Sequence, residues 1–97
     1  MHSTVRRYQA RPGQSVREAI RRAEEGFVPI IREVPGFVAY YLIDSGDSLT
    51  TVSVFQTEAE ARRSVELAAK WLRENRPDFA LGPPEVTMGE AHGHTTS

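Results

Sequence analysis

Residues 37 to 56 read FVAYYLIDSGDSLTTVSVFQ, a stretch rich in β-branched and aromatic residues on both sides of a Ser45-Gly46-Asp47-Ser48 turn signal. The pattern predicts a β-hairpin. Side chains alternate across a strand, which sends Phe37, Ala39, Tyr41 and Ile43 to one face and Val38, Tyr40 and Leu42 to the other. Neither set is polar. If the loop closes symmetrically, Tyr40 stands opposite Ser53, Leu42 opposite Thr51 and Tyr41 opposite Val52.

The flanking segments have other periods. Thr4 to Ala10 alternates weakly and ends at Arg11-Pro12-Gly13, which predicts a first strand. Ser15 precedes Glu18 at the spacing of a capping box, so a helix should begin there. Its buried stripe is predicted as Val16, Ile20, Ala23, Phe27, Ile30 or Ile31, and Val34, with Pro29 kinking the helix or ending it early. Thr57 and Glu60 form a second capping box, and Glu58 to Arg76 carries Ala61, Val65, Ala68 and Leu72 on one stripe, flanked by Ser64, Trp71 and Asn75. Pro77 ends that helix, Gly82-Pro83-Pro84 is a stiff connector, and Glu85 to Ala91 supplies a fourth strand.

The order is β-α-β-β-α-β, an α+β ferredoxin-like arrangement that puts two helices on one face of an antiparallel sheet. Two helices cover one layer only. Because the hairpin is apolar on both faces, the other layer needs a partner, most simply a second copy in a homodimer. The chain has 97 residues, of which 39% are apolar and 26% charged, as expected of one small domain with a core over about 4–90 and a tail at 91–97.

Charge and composition narrow the chemistry. A net charge of -1 gives no reason to expect nucleic acid or an acidic membrane, although Arg6, Arg7, Arg11, Arg17, Arg21 and Arg22 crowd the first 22 residues. The third strand, LTTVSVFQ, lacks the base-stacking pattern of RNA-recognition modules that share this topology. There is no cysteine, no apolar run of membrane length and no secretory signal, so the cytoplasm is the default location. His2, His92 and His94 lie near the termini, and no metal site or cofactor is expected from them. Phosphate loops, nucleophile elbows and H-E-x-x-H motifs are absent.

What remains is a set of polar groups near apolar surface: Tyr40, Tyr41, Ser53, Trp71, Asn75 and Arg7. Most such tyrosines and tryptophans are core residues with a polar tip at the rim. Here they converge: Thr51, Ser53 and Phe55 share a sheet face with Tyr40, and Ser64, Ala68, Trp71 and Asn75 share a helix edge. If the two sets oppose each other, they enclose an aromatic pocket with a few hydrogen-bonding groups.

The Pro35-Gly36-Phe37 entry to the second strand, the V-S-V-F-Q-T-E-A-E-A junction at Val52 to Ala61 and the helix through Ala68, Ala69 and Trp71 resemble antibiotic-biosynthesis-monooxygenase-type members of the dimeric α/β-barrel superfamily. The resemblance covers roughly residues 4 to 90 and implies a homodimer with a small-molecule cavity between sheet and helices. It further implies a cofactor-independent monooxygenase acting on a phenolic or quinol-type metabolite, with Tyr40, Trp71 and Asn75 as catalytic hydrogen-bonding groups. Phe27, Tyr41, Ser53, Phe55 and Ser64 would surround the substrate. Haem-degrading relatives use a helix histidine as iron ligand, and the second helix here has none. The competing reading is a non-catalytic binding or assembly module, favoured by the lack of an internal His or Cys.

Overall fold

The computed structural model describes residues 1–75 and 84–92. Along the chain run β1 (His2–Gln9), α1 (Val16–Gly26), α2 (Val28–Ile31), β2 (Phe37–Asp44), β3 (Ser48–Phe55), α3 (Glu58–Asn75) and β4 (Glu85–Glu90). The strands pair antiparallel in the order β2-β3-β1-β4, the ferredoxin-like α+β topology. Pro77, Gly82-Pro83 and His94 lie outside the described residues.

Both helix starts follow from side-chain chemistry. Ser15 Oγ accepts from the Glu18 amide at 3.1 Å, while the Glu18 carboxylate turns to Arg21 and Arg22 on the next turn. At α3 the box closes in both directions: Thr57 Oγ1 accepts from the Glu60 amide at 3.3 Å, and Glu60 Oε1 accepts from the Thr57 amide at 3.2 Å. Pro29 has no N–H to continue α1, so the helix stops at Gly26 and restarts as α2 with the proline in its first turn. This break turns Ile31 fully inward and leaves Ile30 exposed.

The hairpin pairs Tyr40 with Ser53, Leu42 with Thr51 and Tyr41 with Val52, as symmetric closure requires. Its loop is fixed by Asp44 Oδ1, which accepts from the Gly46 amide at 2.9 Å, with Gly46 at φ +90°. One expectation fails at the other end. The register shifts between Phe37 and Ala39, so strict alternation breaks at Val38. Phe37 therefore joins Tyr40 on the helix side, packing edge-on against Phe55 at 5.8 Å, and Val38 is exposed.

The core lies between the sheet and the helices in two clusters. One gathers Phe27, Ile31, Val34, Phe55, Ala61 and Ala68, and the other Tyr8, Val16, Ala19 and Leu49. Phe55, Ile31 and Leu49 are fully enclosed, each burial stabilising the fold by roughly 1.5–3 kcal/mol. Trp71 packs against both clusters and joins them. The buried face of α3 is Ala61, Ser64 and Ala68, turned from the predicted stripe so that Val65 and Leu72 lie at its margins.

The opposite sheet face carries Val5, Ala39, Tyr41, Ile43, Val52 and Val54. Tyr41 is 58% and Ile43 46% exposed in the isolated chain. Among the described residues no helix is long and apolar enough to cross a membrane.

Candidate functional site

The inner face of the sheet is unusually polar for a core surface. Thr4, Arg6 and Tyr8 of β1 alternate inward, and register places Ser53 beside Thr4, Thr51 beside Arg6 and Leu49 beside Tyr8. On the far side of β3, Tyr40 stands beside Ser53 and Leu42 beside Thr51. The helices contribute Ala23 and Phe27 from above, and Ala68, Trp71 and Leu72 from α3. Alanines at 23 and 68 leave room that larger residues would fill.

Between these layers lies a hollow of about 20 Å³, room for a water molecule, lined by Arg6, Tyr8, Tyr40, Thr51, Trp71 and apolar neighbours. An open cleft of about 400 Å³ adjoins it, walled by Ile20, Glu24, Val28 and Tyr41. Tyr40 and Leu42 belong to both linings. Phe27 packs edge-on against Tyr40 and tilted against Trp71, each at 5.8 Å between ring centres, so the three rings form one aromatic wall.

Burial sets the protonation of this wall. Loss of hydration pushes the Tyr40 phenol up to about 12, against the opposing pull of its hydrogen bond to Thr51; nearby Tyr8 raises it further and Arg6 lowers it. Tyr8 is also raised, by burial, with Arg6 opposing. Both are neutral phenols near pH 7, hydrogen-bonding groups and not bases. Arg6 is 4% exposed, and its Nη2 is buried without a hydrogen-bond partner. Thr4 Oγ1 and Ser53 Oγ are in the same condition on adjacent positions of the sheet.

Of the residues singled out from the sequence, Tyr40, Trp71 and Phe27 meet at the hollow. Asn75 is one turn further along α3, outside the lining, and its Nδ2 donates to the Trp71 carbonyl at 2.9 Å. Ser53 is buried between Thr4 and Tyr40, and Phe55 lies in the core beside Phe37; neither lines the hollow. Ser64 Oγ is committed to the Ala61 carbonyl at 2.6 Å within α3. Tyr41 lies on the open sheet face and reaches the outer cleft. Arg7 is exposed and its neighbour Arg6 is the inward guanidinium.

Arg6 and Tyr8 therefore line the hollow, although pattern reading passes over them. The signal was the strand parity itself. It puts Thr4, Arg6 and Tyr8 on one face at a spacing of two without saying which face turns inward. Alternation in β1 is masked because its inward set includes a charge.

No family model matches the sequence, and no curated protein does. Solved structures do. The chain is similar to a monooxygenase from the gene ActVA-Orf6 of Streptomyces coelicolor, solved with nanaomycin D, with a TM-score of 0.78 over 99% of this chain and 91% of that one, at 20% identity. It is similar to SnoaB, a cofactor-independent oxygenase from Streptomyces nogalater, with a TM-score of 0.73 over 99% and 97% of the two chains at 18% identity. A protein of unknown function from Nitrosomonas europaea gives 0.75 over 99% and 93% at 21% identity. An antibiotic biosynthesis monooxygenase-type protein from Chloroflexus aurantiacus gives 0.61 over 97% and 96% at 20% identity, so the chain has the fold of the antibiotic-biosynthesis-monooxygenase-type proteins; at these identities the likeness is one of fold.

Proposed function

We propose that the protein binds a small phenolic or quinol-type aromatic between its sheet and helices and oxidises it with dioxygen, without a cofactor, as a homodimer. The observation that carries this reading is the aromatic wall of Phe27, Tyr40 and Trp71 facing a buried polar end at Arg6, Tyr8 and Thr51. Two structural neighbours, a monooxygenase and a cofactor-independent oxygenase, support the reaction class.

In this reading the ring body sits in the outer cleft and its oxygen reaches past Tyr40 and Leu42 to the inner hollow. An electron-rich substrate with a ring methylene supplies all four electrons. One oxygen atom becomes the new carbonyl, and the other leaves as water with the two methylene hydrogens. The protein's part is to hold the ring, donate from Tyr40 to its oxygen and keep water out. Trp71 forms the wall, and Asn75, bonded to the Trp71 carbonyl, positions it.

The second reading is a binding or assembly module without chemistry. One observation favours it: among the described residues the hollow's lining has no carboxylate or histidine, and burial raises the pKa of Tyr40 and Tyr8, which stay protonated near pH 7. Aerobic and anaerobic incubation with anthrones and dihydroxyarenes separates the two. Oxygen-dependent turnover that falls at least about tenfold in Trp71→Phe supports the oxygenase. Binding of the same compounds with no oxygen uptake supports the module.

A further inference from the structure

Arg6 is the residue that the fold does not account for. Its position on the inner face of β1 takes a guanidinium out of water among Tyr8, Leu49, Phe27 and Trp71, a placement that is costly unless an acceptor meets it. Among the described residues no salt bridge involves Arg6, and its Nη2 has no hydrogen-bond partner. That atom belongs to a side chain lining the hollow. Its neighbours there, Tyr8 and Tyr40, are neutral phenols, and among the described residues of the lining there is no carboxylate to pair with it.

We infer that Arg6 is a binding residue for an anionic oxygen, so that the ligand of this pocket is an aromatic carboxylate or phenolate seated with its charged end inward. This rests on the reading of the hollow and cleft as a small-molecule site. The charge pattern fixes the orientation, since Glu24 lines the outer cleft and Arg6 the inner hollow. An anionic head is repelled at the mouth and drawn to the interior. A guanidinium suits either oxyanion because its planar donors match carboxylate geometry and also reach a single phenolate oxygen. Arg6 would also hold a phenol in its ionised, more electron-rich form without needing a base among the side chains of the lining.

The test is calorimetric titration of the whole chain with four probes: benzoate and its neutral isostere benzamide, and p-nitrophenolate and p-nitroanisole. Fluorescence of Trp71, the single tryptophan, reports whether each binds at the hollow. The expected result is that at least one anion binds about tenfold or more tightly than its neutral counterpart, and that Arg6→Met or Arg6→Gln removes the preference. Which pair shows the preference distinguishes carboxylate from phenolate. Equal binding within both pairs, or a preference that survives in the variants, overturns the role of Arg6 and leaves the pocket reading standing. No binding by any probe overturns both. Arg6→Met should melt at or above the wild-type temperature, because it replaces a buried charge that has no salt bridge among the described residues with an apolar side chain. A variant that melts far below wild type, or fails to fold, makes Arg6 a structural residue and overturns the inference.

Discussion

Trp71 rests directly on the backbone of Gly26: a Cβ built on that glycine would stand 3.0 Å from the indole Nε1 and 3.1 Å from Cζ2. The last residue of α1 thus sets how deep the tryptophan of α3 can sit, and so fixes the aromatic wall. Gly26→Ala gains up to about 1 kcal/mol of helix propensity but must push the indole by a few tenths of an ångström. The expected outcome is a small net change in urea stability, within about 1 kcal/mol. Trp71 emission should shift and aromatic ligands should bind more weakly. Unchanged emission would show that the contact does not set the ring's position.

Gly36 has a stronger reason to be glycine. Its φ is +81°, and an added Cβ would collide with the Glu60 carboxylate, which also caps α3 through Thr57. Gly36→Ala should cost about 2–3 kcal/mol, combining left-handed strain with a disturbed cap. Chemical denaturation of the single variants and of Gly36→Ala with Glu60→Ala separates these parts. The double variant should be more stable than the sum of its singles predicts, and strict additivity would remove the clash from the account.

Alkaline stability follows from Tyr40 and Tyr8. Both phenols have folded-state pKa values raised above the ordinary 10.0, Tyr40 to about 12. Between those values the unfolded chain releases protons that the folded one keeps, so the linkage lowers stability as pH rises. Below pH 10 the contribution is fully present, and for Tyr40 it is on the order of 2 kcal/mol, lost as pH passes through about 12. Denaturation curves across this window should be steeper in pH for wild type than for Tyr40→Phe. Equal slopes would mean that Tyr40 ionises as readily in the folded chain as in the unfolded one.

The open sheet face gives the last prediction. Val52 sits at its centre, between Tyr41 and Val5, so Val52→Asp places a charge in any interface formed there. Sedimentation should find the wild type as a dimer at micromolar concentration and the variant as monomer or unfolded chain. A stable wild-type monomer would overturn the dimer proposal.

Several features of the fold were readable because they depend on neighbours in sequence. The Thr57 and Glu60 cap, the break at Pro29 and the pairing of Tyr40 with Ser53 all follow from short spacings and a symmetric loop. The face of Phe37 did not, because a bulge at Val38 inserts one residue and nothing local announces it. The lining of the hollow was half legible. Tyr40, Trp71 and Phe27 were anticipated on apolar faces, whereas Ser64 and Asn75 spend their polar atoms on their own helix backbone, a choice that spacing does not reveal.

The sequence alone determined the order of elements, their caps and breaks, and that the hairpin has more apolar surface than two helices can cover. Periodicity and turn chemistry act within a few residues, and so they leave their mark in the chain. Which polar groups meet was decided only by tertiary structure. Arg6 and Arg7 are adjacent and chemically identical, and it is the pairing of β1 with β3, together with the packing of α3 above them, that buries the first and exposes the second.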